Sequence, residues 1–145
     1  MQIDDSKKQL FVQWSDLELI MESICKNLDF PVNKILGVSR GGLVPGVMLS
    51  HFLNVPFEPF IWQTRDGSQR DLGTLLRNDE PDTLIFDDIL DTGKTITEMK
   101  SQTKLAKYGT IFNKRSDIAL DIEGMTLYNN ANWIVFPWEN LNNGK

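Results

Sequence analysis

Twice in this chain a short apolar run breaks into a polar, glycine-bearing turn and then resumes at helical spacing. KILGV, residues 34–38, enters Ser39-Arg40-Gly41-Gly42, after which residues 43–53 return to an apolar helical period. TLIF, residues 83–86, enters an aspartate-rich turn, and the capping-box pattern Thr95-x-x-Glu98 then opens a helix to about Lys107. Strand, turn and helix in that order favour parallel pairing, because the helix carries the chain back to start the next strand in the same direction.

The rest of the chain fits between and around these units. QLFVQ, residues 9–13, reads as a short strand. Ser15-x-x-Glu18 is a capping box before the amphipathic run Leu17, Ile20, Met21, Ile24 and Leu28, which predicts a helix over 16–28. Further strands are expected at 57–63, 108–112, 125–128 and 133–135. Residues 64–78 are polar, contain two glycines and hold no period, so they read as a long mobile loop. The expectation is one α/β domain over residues 1–145, with a central, mainly parallel sheet flanked by helices. Ligands of such sheets gather at the carboxyl ends of the strands, where both turns lie.

Composition narrows the chemistry. One cysteine and one histidine exclude a disulfide and a Cys/His zinc cage, and Cys25, on the first helix, reads as a packed small hydrophobe. His51, in the middle of the helix after the first turn, reads as structural. The net charge of −5 argues against a broad nucleic-acid-binding face. No apolar run is long enough to span a bilayer. MQIDDSKKQL lacks the features of a secretory signal, so the expected compartment is the cytoplasm.

The second turn, FDDILDTGKTI, ends like a Walker A loop, but counting back from Gly93 puts Asp88 where the first glycine belongs. An acid there repels a triphosphate. What survives is the helix start: Thr92 to Thr95 offer backbone N–H groups and two hydroxyls at the positive end of a helix, a cradle for one phosphate. Asp87 and Asp88, adjoining at a strand end, suit vicinal sugar hydroxyls or a hydrated Mg2+, and Asp91 is placed to act as a base. A ribose 5-phosphate satisfies every group. The bland alternative is a solvated acidic turn, but an acidic pair directly after a buried strand is costly and less often idle.

LIFDDILDTGKT resembles the phosphoribosyl pyrophosphate signature of the type I phosphoribosyltransferases, a long and specific motif. VSRGGLVPG, residues 38–46, is similar to the pyrophosphate loop of the family's bacterial xanthine-guanine branch, and NWIVFPWEN, residues 132–140, to its purine-binding segment. The resemblance covers almost the whole chain. It implies the type I phosphoribosyltransferase fold with a small C-terminal base-binding hood, and Mg2+-dependent transfer of ribose 5-phosphate from phosphoribosyl pyrophosphate to a 6-oxopurine. It also implies a homodimer or homotetramer. A module that senses phosphoribosyl pyrophosphate or nucleotides with little catalysis is the alternative, since some members of this fold are regulators.

Site roles follow from the resemblance. Ser39, Arg40, Gly41 and Gly42 would grip the pyrophosphate, with a non-proline cis peptide expected at Arg40–Gly41. The chemistry agrees, since Arg40 is a permanent cation and paired glycines let backbone amides approach an anion. Asp87 and Asp88 would contact the ribose hydroxyls and Mg2+. Ile89, Leu90 and Asp91 continue the same substrate loop, and Thr92, Gly93, Lys94 and Thr95 would hold the 5-phosphate. Asp91 matches the acid beside N7 of the purine, a general base. Lys114 matches the donor to the 6-oxo group; an ammonium cannot accept, so it selects against 6-amino purines. Trp133, 19 residues on, matches the tryptophan stacked on the base, Ile134 would offer backbone groups to the purine edge, and Trp138 reads as packing. Two departures stand out: Thr64-Arg65 where relatives carry Ser-Tyr, which bears on loop closure, and Val135 where the xanthine-guanine enzymes carry Glu, which bears on base choice.

Overall fold

A computed structural model of the chain describes residues 1–64, 68–128 and 130–139. The elements are β1 (Gln2–Asp4), β2 (Gln9–Phe11), α1 (Trp14–Asn27), β3 (Lys34–Ser39), α2 (Leu43–Leu53), β4 (Phe57–Ile61), α3 (Leu72–Arg77), β5 (Thr83–Leu90), α4 (Lys94–Gln102), β6 (Lys107–Asn113), β7 (Ile122–Thr126) and β8 (Trp133–Val135). Five strands form one sheet in the order β4-β3-β5-β6-β7, and every neighbouring pair is parallel. A strand in the middle of such a sheet is covered on both faces, which is why β3 and β5 read as unbroken apolar runs rather than alternating ones. Leu17, Ile20, Met21 and Ile24 of α1 and Leu49 of α2 pack with Ile35, Leu84 and Phe86 on one face. Leu75 of α3 and Ile96 and Met99 of α4 pack with Leu36, Val38 and Ile85 on the other.

The second sheet, in the order β1-β2-β8, is the hood. Its C-terminal strand β8 runs parallel to β2, with Leu10 opposite Ile134, so the hood joins both ends of the chain rather than the C-terminal segment alone. Strand β1 is too short and too polar to show in the sequence.

Several expected boundaries move, each for a local reason. Helix α1 starts at Trp14, because the Asp16 carboxylate accepts the Gln13 N–H at 2.8 Å and closes the first turn before the Ser15 box. Helix α4 starts at Lys94 behind Gly93, which caps it with φ +84°. That leaves Glu98 two residues too deep to cap; it accepts instead from Arg70 Nε at 2.6 Å and Trp62 Nε1 at 3.2 Å. The same helix ends at Gln102, since the Asp79 carboxylate takes the N–H groups of Lys104, Leu105 and Ala106, each at 2.8 Å, and β6 follows.

Residues 64–78 are not the featureless loop expected. Arg70 bridges back to Trp62, and α3 follows, capped by Asp71, whose side chain accepts the Thr74 N–H. The spacing Leu72, Leu75, Leu76 is the helical signal within that stretch. Arg65 lies outside the described residues.

Candidate functional site

Strand β5 runs on to Leu90, pairing Ile89 with Phe112 and Leu90 with Asn113 of β6. Asp87 and Asp88 therefore stand within the paired strand rather than after it, and their backbone is fixed by its neighbours. The Asp87 carboxylate accepts the Asp88 N–H at 2.8 Å, and the Asp88 carboxylate accepts the Ile89 N–H at 2.7 Å. Burial raises the pKa of Asp87, and the Asp88 charge raises it further. Burial likewise raises Asp88, with the Glu139 charge adding to it. Two half-buried acids side by side, each resisting ionisation, form a pair that a divalent cation or a set of hydroxyl donors relieves.

This pair lies where two cavities meet. One, of about 430 Å³, is lined by Asp87 through Ile96 together with Lys114, Trp133, Ile134, Phe136 and Glu139. The other, of about 1000 Å³, is lined by Ser39, Arg40 and Gly41, by Leu43 and Val44 at the start of α2, and by Trp62 and Trp138. Thr64, Asp87, Asp88, Thr95 and Glu139 border both.

In the first cavity, Gly93 at φ +84° turns the chain into α4, and Ile118 packs so close that any side chain at Gly93 would collide with it. The Lys94 N–H points to Thr92 Oγ1 at 3.3 Å, Lys94 Nζ to the Thr64 carbonyl at 3.5 Å, and Thr95 Oγ1 lies 3.4 Å from Thr64 Oγ1. Asp91 is exposed beside them. Lys114 leaves the end of β6 with its N–H on the Leu90 carbonyl at 2.9 Å and its ammonium on the Asn132 carbonyl at 2.8 Å. Trp133 is 62% exposed although its strand is paired, which leaves its indole open to a ligand. Ile134 is buried and lines the same cavity. Phe136 stacks on Trp138 at 4.6 Å and 4°, and Trp138 also meets Trp14 at 5.9 Å, so Trp138 packs as expected.

In the second cavity the cis peptide falls at Ser39–Arg40, not at Arg40–Gly41. Strand β3 ends at Ser39, so the turn begins at the bond leaving it. Gly41 serves a different need: a side chain there would strike the Asp88 carboxylate, so the turn lies directly on the acidic pair. Arg40 is exposed and, among the described residues, its guanidinium has no ion pair. Gly42 does not face the cavity. It is buried, donates to the Val38 carbonyl at 2.8 Å and has no room for a side chain against the Phe86 carbonyl.

Three residues outside the predicted set of substrate-binding residues also line the site. Thr64 touches the phosphate-cradle candidates, Phe136 walls the first cavity, and Glu139, which borders both cavities, accepts the Phe136 N–H at 3.0 Å. The acid after Trp138 within NWIVFPWEN was the available signal for Glu139.

No family model matches the chain. It is 27% identical to the xanthine-guanine phosphoribosyltransferase of Idiomarina loihiensis over 92% of this chain and 89% of that protein. It is 28% identical to that of Chromohalobacter salexigens over 96% and 89%. The crystal structure of a purine phosphoribosyltransferase from Pyrococcus horikoshii superposes with a TM-score of 0.72 at 26% identity, covering 91% of this chain and 94% of that one. In sequence and in architecture, the chain is a homologue of the purine phosphoribosyltransferases and has the type I phosphoribosyltransferase fold.

Proposed function

We propose that the protein transfers ribose 5-phosphate from phosphoribosyl pyrophosphate to a 6-oxopurine (guanine, xanthine or hypoxanthine), releasing pyrophosphate and forming the nucleoside monophosphate. The observation that carries this reading is the position of Asp87 and Asp88 between a helix-start phosphate cradle and a turn bearing Arg40. A substrate with a phosphate at each end and a diol between them matches that order.

In this reading Thr92 to Thr95 bind the 5-phosphate through backbone N–H groups and hydroxyls, and Asp87 and Asp88 take the ribose hydroxyls. Arg40 faces the pyrophosphate and stabilises the charge that grows on it as the bond to the anomeric carbon breaks. Trp133 stacks on the purine, and Lys114 donates to its 6-oxo group. Asp91 takes the proton that the purine gives up, from N7 or N9, as the new bond to the sugar forms. Thr64 borders both cavities, and closure there excludes water, which would otherwise capture the sugar cation.

Mg2+ fits the donor set. Among the described residues no three His, Cys, Asp or Glu side chains form a metal cage, but Mg2+ is commonly held by one or two carboxylates together with substrate phosphates. Asp87 and Asp88 are such a pair, and bound Mg2+ would neutralise charge on the departing pyrophosphate.

The test is to incubate the protein with Mg2+, phosphoribosyl pyrophosphate and each of guanine, xanthine, hypoxanthine and adenine, measuring nucleotide and pyrophosphate. Turnover of at least one 6-oxopurine and not of adenine is expected. Binding of phosphoribosyl pyrophosphate with no turnover of any base would contradict the proposal and leave a sensing module.

A further inference from the structure

Arg115 stands behind the phosphate cradle. Its Nη1 donates to the Thr92 carbonyl at 3.0 Å, while Nε donates to Asp117 Oδ1 at 2.8 Å and Nη2 to Asp117 Oδ2 at 2.5 Å. The Arg115 N–H is held in turn by Asn113 Oδ1 at 2.8 Å. A guanidinium gripped by a two-pronged carboxylate is fixed in plane, so its remaining donor has a set direction.

That direction matters because of the geometry of a peptide. In a trans peptide the carbonyl and the following N–H point to opposite sides. With the Thr92 carbonyl drawn toward Arg115, the Gly93 N–H is turned the other way, and among the described residues it donates to no backbone or side-chain group. Thr92 and Gly93 line the cavity; Arg115 does not. The carbonyl, whose lone pairs would repel an anion, is thus held out of the cradle while an N–H is aimed into it. Ile118, three residues on from Arg115, packs against Gly93 and blocks the loop from rolling back.

We infer that Arg115, braced by Asp117, is a positioning residue that presets the Gly93 N–H for a sugar phosphate. This rests on the reading of Thr92 to Thr95 as the phosphate cradle. Arg115 itself touches no reacting atom: it acts through the Thr92–Gly93 peptide.

The experiment compares wild type, Arg115→Ala, Arg115→Lys and Asp117→Ala in two measurements: the affinity for ribose 5-phosphate by calorimetry, and the KM for phosphoribosyl pyrophosphate against the KM for the purine. In Arg115→Ala the Kd for ribose 5-phosphate and the KM for phosphoribosyl pyrophosphate should each rise about tenfold, the scale of one hydrogen bond to a charged donor, with the purine KM unchanged. Arg115→Lys should recover part of the loss, since an ammonium can reach the carbonyl but cannot fork onto Asp117. Asp117→Ala should fall between Arg115→Ala and wild type. If wild type binds ribose 5-phosphate and Arg115→Ala binds it equally well, the inference fails while the cradle stands. If both KM values rise together with a fall in melting temperature, Arg115 is only a structural brace and the inference is again overturned. If wild type does not bind ribose 5-phosphate, the cradle reading fails and takes the inference with it.

Discussion

The ammonium of Lys114 donates to the carbonyl of Asn132 at 2.8 Å, tying the end of β6 to the residue before Trp133. The two side chains assigned to the purine are thereby held in one frame, although 18 residues separate the bonded partners. An ammonium has three donors, so a purine oxygen can be added without giving up Asn132. Lys114→Met should lower kcat/KM for the 6-oxopurine by about 10- to 100-fold, the range for a hydrogen bond to a charged group. The KM for phosphoribosyl pyrophosphate should stay constant. A variant with unaltered kcat/KM for the base would remove Lys114 from base recognition.

Trp133 is the large aromatic with most to gain from a ligand and least to lose from removal. Because 62% of it is exposed, Trp133→Ala should leave the denaturant midpoint within error. It should raise the KM for the purine by an amount equivalent to about 1–3 kcal/mol of stacking, and Trp133→Phe should recover much of that. A stability loss with no change in the purine KM would mark Trp133 as a packing residue instead.

Asp91 is exposed at the mouth of the cradle, apart from the half-buried Asp87 and Asp88. Asp91→Asn keeps the shape and removes the basic oxygen. Turnover is expected to fall by about 10²- to 10⁴-fold, while calorimetric binding of phosphoribosyl pyrophosphate is spared. Equal turnover in the two proteins would exclude Asp91 as the base.

Glu58 on β4 clamps two other elements: Arg77 of α3 at 2.8 Å and Lys34 of β3 at 3.0 Å. Hydrogen bonding from Arg77, and then from Lys34, outweighs burial and lowers its pKa from 4.5 to about 2. A carboxyl whose folded pKa is depressed stabilises the fold fully above its unfolded value and loses that contribution as pH falls through the folded one. Unfolding free energy should therefore decline between about pH 4.5 and pH 2. Glu58→Gln should be less stable than wild type at pH 7, with the gap closing across that window. A gap independent of pH would show that the clamp is not electrostatic.

The parallel sheet was legible because β3 and β5 are buried on both faces and so appear as apolar runs that end in turns. That the acidic pair and the helix-start turn share one cavity was legible because FDDILDTGKTI is contiguous. The hood was only half legible: β8 could be seen, but its pairing with β2 joins the two ends of the chain, and no local pattern records that. Helix α3 was hidden among polar residues, since a six-residue helix with one buried leucine has too little period to stand out. Arg115 was invisible for a different reason. Its guanidinium donates to the carbonyl of Thr92, a partner distant in sequence that no local pattern records.

The central claim is that Asp87 and Asp88 divide one cleft into a 5-phosphate side and a pyrophosphate side. A crystal structure with Mg2+ and phosphoribosyl pyrophosphate tests it most directly. The expected result places the 5-phosphate at Thr92 to Thr95, the ribose hydroxyls at Asp87 and Asp88, and the pyrophosphate beside Ser39, Arg40 and Gly41. A pyrophosphate seated on the Thr92 to Thr95 turn, or a ligand that leaves the Arg40 cavity empty, would contradict the account.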